Sequence, residues 1–140
     1  MNPLQSLREY EAFVYGLSQQ FVVIASSTLV VFQADDNFAT VYGELYFPNG
    51  YRLMVRERLN LIREPLVIIG YGYEVWRNAE KLYWYDPQPH PHIPELAATH
   101  PHHKHVPPDI KHNRIVAPGL SFTQPNLPFL IAEIKQALLM

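Results

Sequence analysis

The hydrophobic period of the chain changes near residue 21. Over residues 4–17, Leu4, Leu7, Phe13, Val14 and Leu17 recur at spacings that approximate one face of a helix, with Pro3 acceptable at its first turn and Gly16 weakening its end. From Phe21 onward, β-branched and aromatic residues separated by turn signals predict strands over 21–25, 29–34, 39–47, 51–60, 66–76 and 81–86. Asn49 and Gly50 in FPNGYR suit a tight hairpin between the third and fourth of these, and RNAE at 77–80 turns the next strand into KLYWYD. Regularity stops after Asp86. Prolines at 87, 89, 91, 94, 101, 107 and 108 fix φ and remove backbone donors, which predicts an extended loop over 87–113 in place of a long helix or central strand. A strand-like RIVA at 114–117 follows, and Phe129, Leu130, Ile134, Ala137 and Leu138 stripe a closing helix over 127–139. The expected class is α+β: an antiparallel meander of about five or six strands flanked by N- and C-terminal helices, with a long Pro/His-rich loop.

Length and composition narrow the classes. A chain of 140 residues suits one domain spanning residues 1–140, which buries about two thirds of its unfolded surface. Its 48% hydrophobic content, with nine Tyr, seven Phe and two Trp, describes a folded core and not a disordered chain. The absence of cysteine excludes disulfides, thiol catalysis and Cys-type zinc sites. The start MNPLQSLREYEAF lacks the basic and apolar regions of a signal peptide, and the runs FVVIA and PLVIIGYGY fall well short of the roughly 18 residues of a membrane span. A cytoplasmic protein with no membrane partner is the expectation. The net charge of −2 supplies no global attraction to nucleic acid, so RNA binding requires a local basic surface.

Alternation along 51–59 supplies such a surface. It puts Arg52, Met54, Arg56 and Arg58 on one face and Tyr51, Leu53, Val55, Glu57 and Leu59 on the other. Arg52 and Arg56 are candidate phosphate ligands, the alternative being an ordinary solvated face. Glu57 points to the apolar side, which requires a partner such as a histidine or arginine, or a bulge that re-aims it. In PLVIIGYGYEVW the same alternation groups Gly70 and Gly72 with Ile68, Glu74 and Trp76, and Tyr71 and Tyr73 with Val67, Ile69 and Val75. The paired glycines make a trough that suits close packing of a helix, or else a ligand groove. Tyr71 and Tyr73 are candidates for stacking on bases or for ordinary core packing.

The densest chemical signal is HPHHKH at 100–105, and all seven histidines, at 90, 92, 100, 102, 103, 105 and 112, fall near it. Three uses fit. A His-ligated metal is favoured by pairs such as His100 and His102, or His103 and His105, which point to one side of an extended chain, but HExxH-type spacing is missing and Lys104 adds positive charge. Metal-independent acid-base chemistry on RNA needs two histidines for proton transfer and a cation such as Lys104 or an arginine, with Glu57 or Asp86 orienting an imidazole and no cofactor. The third use is a non-catalytic loop that docks a protein or nucleic acid.

The run NGYRLMVRE, the spaced tyrosines of YGYEVW, YWYD with PH beyond it, HPHHKHV and the helix LIAEI together resemble the TumE-like toxins of bacterial and archaeal toxin-antitoxin pairs, over roughly residues 40–134. The specific part is Pro101-His102-His103-Lys104-His105. Glu57, Tyr71, Tyr73, Asp86, His90, His102, His103, Lys104 and His105 match the family pattern, whereas Asp86-Pro87 stands where relatives tend to have Asp-Asn. The resemblance implies a toxin neutralised by a small helix-turn-helix-type antitoxin protein, and suits a ribonuclease using His102, His103, Lys104, His105, Glu57 and Asp86, with Arg52, Arg56, Tyr71 and Tyr73 contacting RNA. The first 40 residues then look like a local elaboration that covers the sheet or forms a homodimer.

Overall fold

The computed structural model describes residues 1–87, 102–111, 113–117 and 119–140. The predicted N-terminal helix is broken into three pieces: a 3-10 turn at Pro3–Gln5, helix α1 at Leu7–Tyr15 and a short α2 at Leu17–Gln20. Ser6 makes the break by capping α1, its hydroxyl accepting from the Glu9 backbone N–H at 3.1 Å. The segment 21–25, expected as a strand, is instead a turn. The strands are β1 Ser26–Ser27, β2 Val30–Gln33, β3 Phe38–Tyr46, β4 Tyr51–Asn60, β5 Val67–Arg77, β6 Glu80–Asp86, β7 His103–His105 and β8 Arg114–Val116. They form one antiparallel sheet in the order β1-β3-β4-β5-β6-β7-β8, with β2 also on β3. The α+β class holds, and the strand count among the described residues exceeds the expected five or six.

The turns follow from their residues. Asn49 at φ +63° and Gly50 at φ +80° close the β3–β4 hairpin, and Asn78 at φ +55° closes β5–β6. Helix α3, Leu127–Leu138, packs on the same face of the sheet as α1. It buries Leu127, Leu130, Ile131 and Ile134, while Phe129 is half exposed. The sealed layer between helices and sheet contains Leu4, Val14, Leu17, Val41, Leu53, Val55, Leu59, Tyr73 and Val75. Burying one such side chain stabilises the fold by about 1.5–3 kcal/mol, which accounts for the apolar period on β3, β4 and β5.

Two departures from simple alternation matter for function. On β5 the register against β4 runs Arg58↔Gly70 and then Leu59↔Ile68, so Ile69 is a bulged residue. Ile68 is thereby buried with Tyr71 and Tyr73, and Ile69 is exposed, the reverse of the alternation expected for them. The second departure is β7. His103, Lys104 and His105, expected inside the proline loop, hydrogen-bond between β6 and β8 as an interior strand. Prolines exclude only the positions they occupy, and three residues fit between Pro101 and Pro107. His90, His92, His100 and His112 lie outside the described residues.

Candidate functional site

The candidate residues separate onto the two faces of the sheet. Cross-strand partners share a face, and the pairs Glu57↔Tyr71, Tyr73↔Tyr85 and Tyr85↔Lys104 put these five under the helices. The pairs Trp84↔His105 and Asp86↔His103 belong to the opposite face, which also carries Arg52, Arg56 and Arg58.

Under the helices, Glu57 is 0% exposed and no bulge re-aims it. Its partners are hydroxyls, not the histidine or arginine expected: Tyr10 donates to Oε1 at 2.5 Å and Tyr73 donates to Oε2. Asn126, just before α3, donates from Nδ2 to the Tyr73 oxygen at 3.0 Å, while its Oδ1 accepts from the Ser121 backbone N–H at 2.8 Å. The network ties α1, β4, β5 and the entry to α3 together. Burial raises the pKa of Glu57, opposed by the two tyrosine hydrogen bonds, and burial next to Glu57 raises both tyrosines well above their usual range. Glu57 contacts none of the described histidines through a hydrogen bond.

Lys104 also faces the helices. Its Nζ lies 3.0 Å from Glu133 Oε2 on α3 and over the Tyr83 ring at 4.2 Å, and Tyr85 donates to the same carboxylate at 2.8 Å. His102, just before β7, is half buried, with its Nδ1 2.6 Å from the Tyr71 hydroxyl. Tyr71 in turn stacks on Tyr73, with ring centroids 4.9 Å apart. The two tyrosines are core residues that link His102 to the buried network, and neither ring is open to a base.

On the opposite face, His103 and His105 share one side of β7, as the one-residue spacing predicts. His105 stacks on Trp84 with centroids 3.5 Å apart and rings within 2° of parallel. Its Nε2 is 3.2 Å from Asp86 Oδ1. His105 Nδ1 and Asp86 Oδ2 are buried and make no hydrogen bond among the described residues. Trp84 donates from Nε1 to the Ile110 carbonyl at 3.1 Å, so residues beyond β7 fold back over this end of the sheet. Sequence reasoning passed over Trp84, although its spacing of two from Asp86 already put both on one face.

Asp86 lines a groove of about 490 Å³ across the middle strands, together with Tyr42, Met54, Arg56, Gly72 and Trp84. Gly70 and Gly72 therefore open a groove and do not receive a helix. A methyl group at Gly72 would lie 3.0 Å from an Arg56 guanidinium nitrogen, and at Gly70 it would meet nothing within 4 Å. Arg52 is ion-paired with Glu44 at 3.1 Å and lies over Trp76. Among the described residues no three His, Asp or Glu side chains converge to hold a metal ion.

The description of the family whose model matches this chain is toxin TumE, and the match runs over residues 14–138. It extends beyond the motifs that carry the resemblance, taking in α2, β1 and β2, so most of the first 40 residues are family structure and not a local elaboration. No curated protein and no solved structure matches. A match over nearly the whole length, containing Glu57, the Asp86–His105 pair and the HPHHKH run, shows that the chain belongs to the TumE toxin family.

Proposed function

We propose that this chain is the toxin half of a toxin-antitoxin pair, restrained in the cytoplasm by a small helix-turn-helix-type antitoxin, and that it cleaves RNA by metal-independent histidine chemistry. The observation that carries this reading is the Asp86–His105 pair, of which Asp86 lines the groove. A carboxylate on one imidazole nitrogen orients the ring, and the second ring nitrogen is then the group that carries a proton to or from a substrate. His105 is one proton carrier, and His103, on the same side of β7, is the second. One takes the 2'-hydroxyl proton as that oxygen bonds to phosphorus. The other protonates the departing 5'-oxygen as the P–O5' bond breaks, which yields a 2',3'-cyclic phosphate and a free 5'-hydroxyl. The cation that offsets the developing negative charge is Arg56, since Lys104 is committed to Glu133 on the helix side.

The test is growth and RNA integrity in cells expressing the wild type, Asp86→Asn or His105→Gln. Arrest and cleavage by the wild type alone, with cleavage by the purified protein surviving EDTA, is the expected outcome. Arrest by all three proteins sinks the histidine mechanism, and loss of cleavage in EDTA sinks its metal independence. A second reading, a non-catalytic binding domain, is favoured by the burial of His103 and His105 and by the Trp84 stack, which make β7 a structural strand. It expects those variants to lose folding before they lose arrest.

A further inference from the structure

The open face holds cations that differ in whether a carboxylate already satisfies them. Arg52 pairs with Glu44 at 3.1 Å and Lys81 with Glu74 at 3.5 Å. Arg56 and Arg58, both exposed, make no ion pair with any described residue. They stand two apart on β4, so they project from the same face about 6.8 Å apart along the strand. That repeat is of the order of the distance between consecutive phosphates in an extended single strand. Their cross-strand neighbours are Gly72 and Gly70 on β5 and Tyr42 and Thr40 on β3, and the Arg58 guanidinium lies over the Phe38 ring at 4.6 Å. Two depressions, of about 490 and 350 Å³, meet along this line and share Arg56, Tyr71 and Pro87. Tyr42, 47% exposed, is the aromatic ring beside Arg56.

We propose that the open face of β3, β4 and β5 is a single-strand RNA track, in which Arg56 and Arg58 bind successive phosphates and Tyr42 stacks on a base. The inference rests on the RNA reading above and adds the path by which the strand reaches Asp86. Charge decides for a nucleic acid over a protein strand: two adjacent guanidinium groups with no carboxylate partner among the described residues, beside a glycine floor, recognise phosphate oxygens, and an exposed ring beside them suits a base of any sequence. A duplex is excluded by the same geometry, because its bases present no free face to Tyr42.

The experiment uses the full chain carrying Asp86→Asn, so that cleavage does not consume the probe, and a fluorescein-labelled oligouridylate titrated at several salt concentrations. The slope of log affinity against log salt reports the number of phosphates neutralised, about 0.7 per contact on a single strand. Adding Arg56→Gln and Arg58→Gln is expected to weaken binding and flatten the slope by about 1.4, and adding Tyr42→Ala to weaken it about tenfold with the slope kept. Lys81→Gln, the ion-paired control, leaves the slope unchanged. Gly70→Ala, whose added methyl meets nothing within 4 Å in the fold, is expected to weaken binding without lowering the melting temperature. An unchanged slope in the double arginine variant overturns the track, as does equal affinity for the oligouridylate paired with oligoadenylate. So does a double variant that keeps its RNA affinity but no longer co-purifies with a co-expressed partner protein, which would make the face a protein dock. A wild type that cleaves no RNA while the arginine-dependent slope persists supports the track and fails the cleavage reading alone.

Discussion

Glu57 and Asp86 are two carboxylates that the sequence offers for the same task, and the two faces of the sheet give them opposite lives. Glu57 sits under the helices with both oxygens occupied by tyrosine hydroxyls. Asp86, 6% exposed, uses one oxygen on His105, leaves the other without a hydrogen bond among the described residues, and walls the groove. A carboxylate whose hydrogen bonds are complete and whose surroundings exclude water has no capacity left for a substrate. One that lines a groove and keeps an oxygen no described residue satisfies has. Glu57 thus joins elements, and Asp86 is the carboxylate to which the proposed reaction gives a role.

That contrast can be broken by experiment. Its largest expected consequence concerns activity: Asp86→Asn or His105→Gln is expected to lower RNA cleavage by about 10²–10⁴-fold, whereas Glu57→Gln in the folded protein keeps the rate near wild type. Cleavage assays on proteins matched by circular dichroism check both, and a Glu57→Gln rate as low as that of Asp86→Asn would erase the distinction.

Stability is expected to show the reverse order. Glu57→Ala strands the Tyr10 hydroxyl in the core and removes one of the two bonds of Tyr73, which costs about 3 kcal/mol or more. Urea unfolding measures it, with Glu57→Gln, which keeps an acceptor for a hydroxyl, losing less.

Dependence on pH sharpens the same point. Burial lifts the folded-state pKa of Glu57 above the ordinary 4.5, so the folded protein holds this proton more tightly than the unfolded chain. Its contribution is complete below that ordinary value and is lost as pH rises through the raised one. Melting temperatures of Glu57→Gln, which has no proton to lose, are therefore expected to gain on the wild type as pH rises through this window. The smallest effect is at Lys104: Lys104→Met is expected to lose about 1 kcal/mol or less from the partly exposed ion pair with Glu133 and to retain cleavage. A large loss of cleavage at unchanged stability would return Lys104 to the reaction.

Local chemistry made much of this legible. The Asn49-Gly50 hairpin, the arginine face of β4, the inward Glu57 and the common side of His103 and His105 all follow from turn preferences and the two-residue period of a strand. Helix α1 carries a missed residue whose signal was present: Tyr10 lies three residues after Leu7 and four before Val14, on the apolar stripe. Other features were not legible because they depend on register. The bulge at Ile69 swaps the faces of Ile68 and Ile69 through a pairing with Leu59, and nothing in the tripeptide itself signals it. Asn126 looks like a helix cap, yet its side chain is drawn to Tyr73 and to the Ser121 backbone.

By itself the sequence determined the α+β class, the alternation that sorts residues onto two faces, the concentration of histidines near residue 100, and the family motifs. Those properties are local, encoded by the period of apolar residues and by the few residue types that tolerate tight turns. Only the tertiary structure decided which face the helices cover. That choice turns Glu57 and Tyr73 into a sealed assembly, sets Lys104 beside Glu133 of α3, and makes Asp86, Arg56 and Arg58 lining residues of the depressions on the open face. It also drew His103–His105 out of the proline segment into the sheet, because the backbone groups along the edge of β6 are satisfied by a strand from any part of the chain that reaches them.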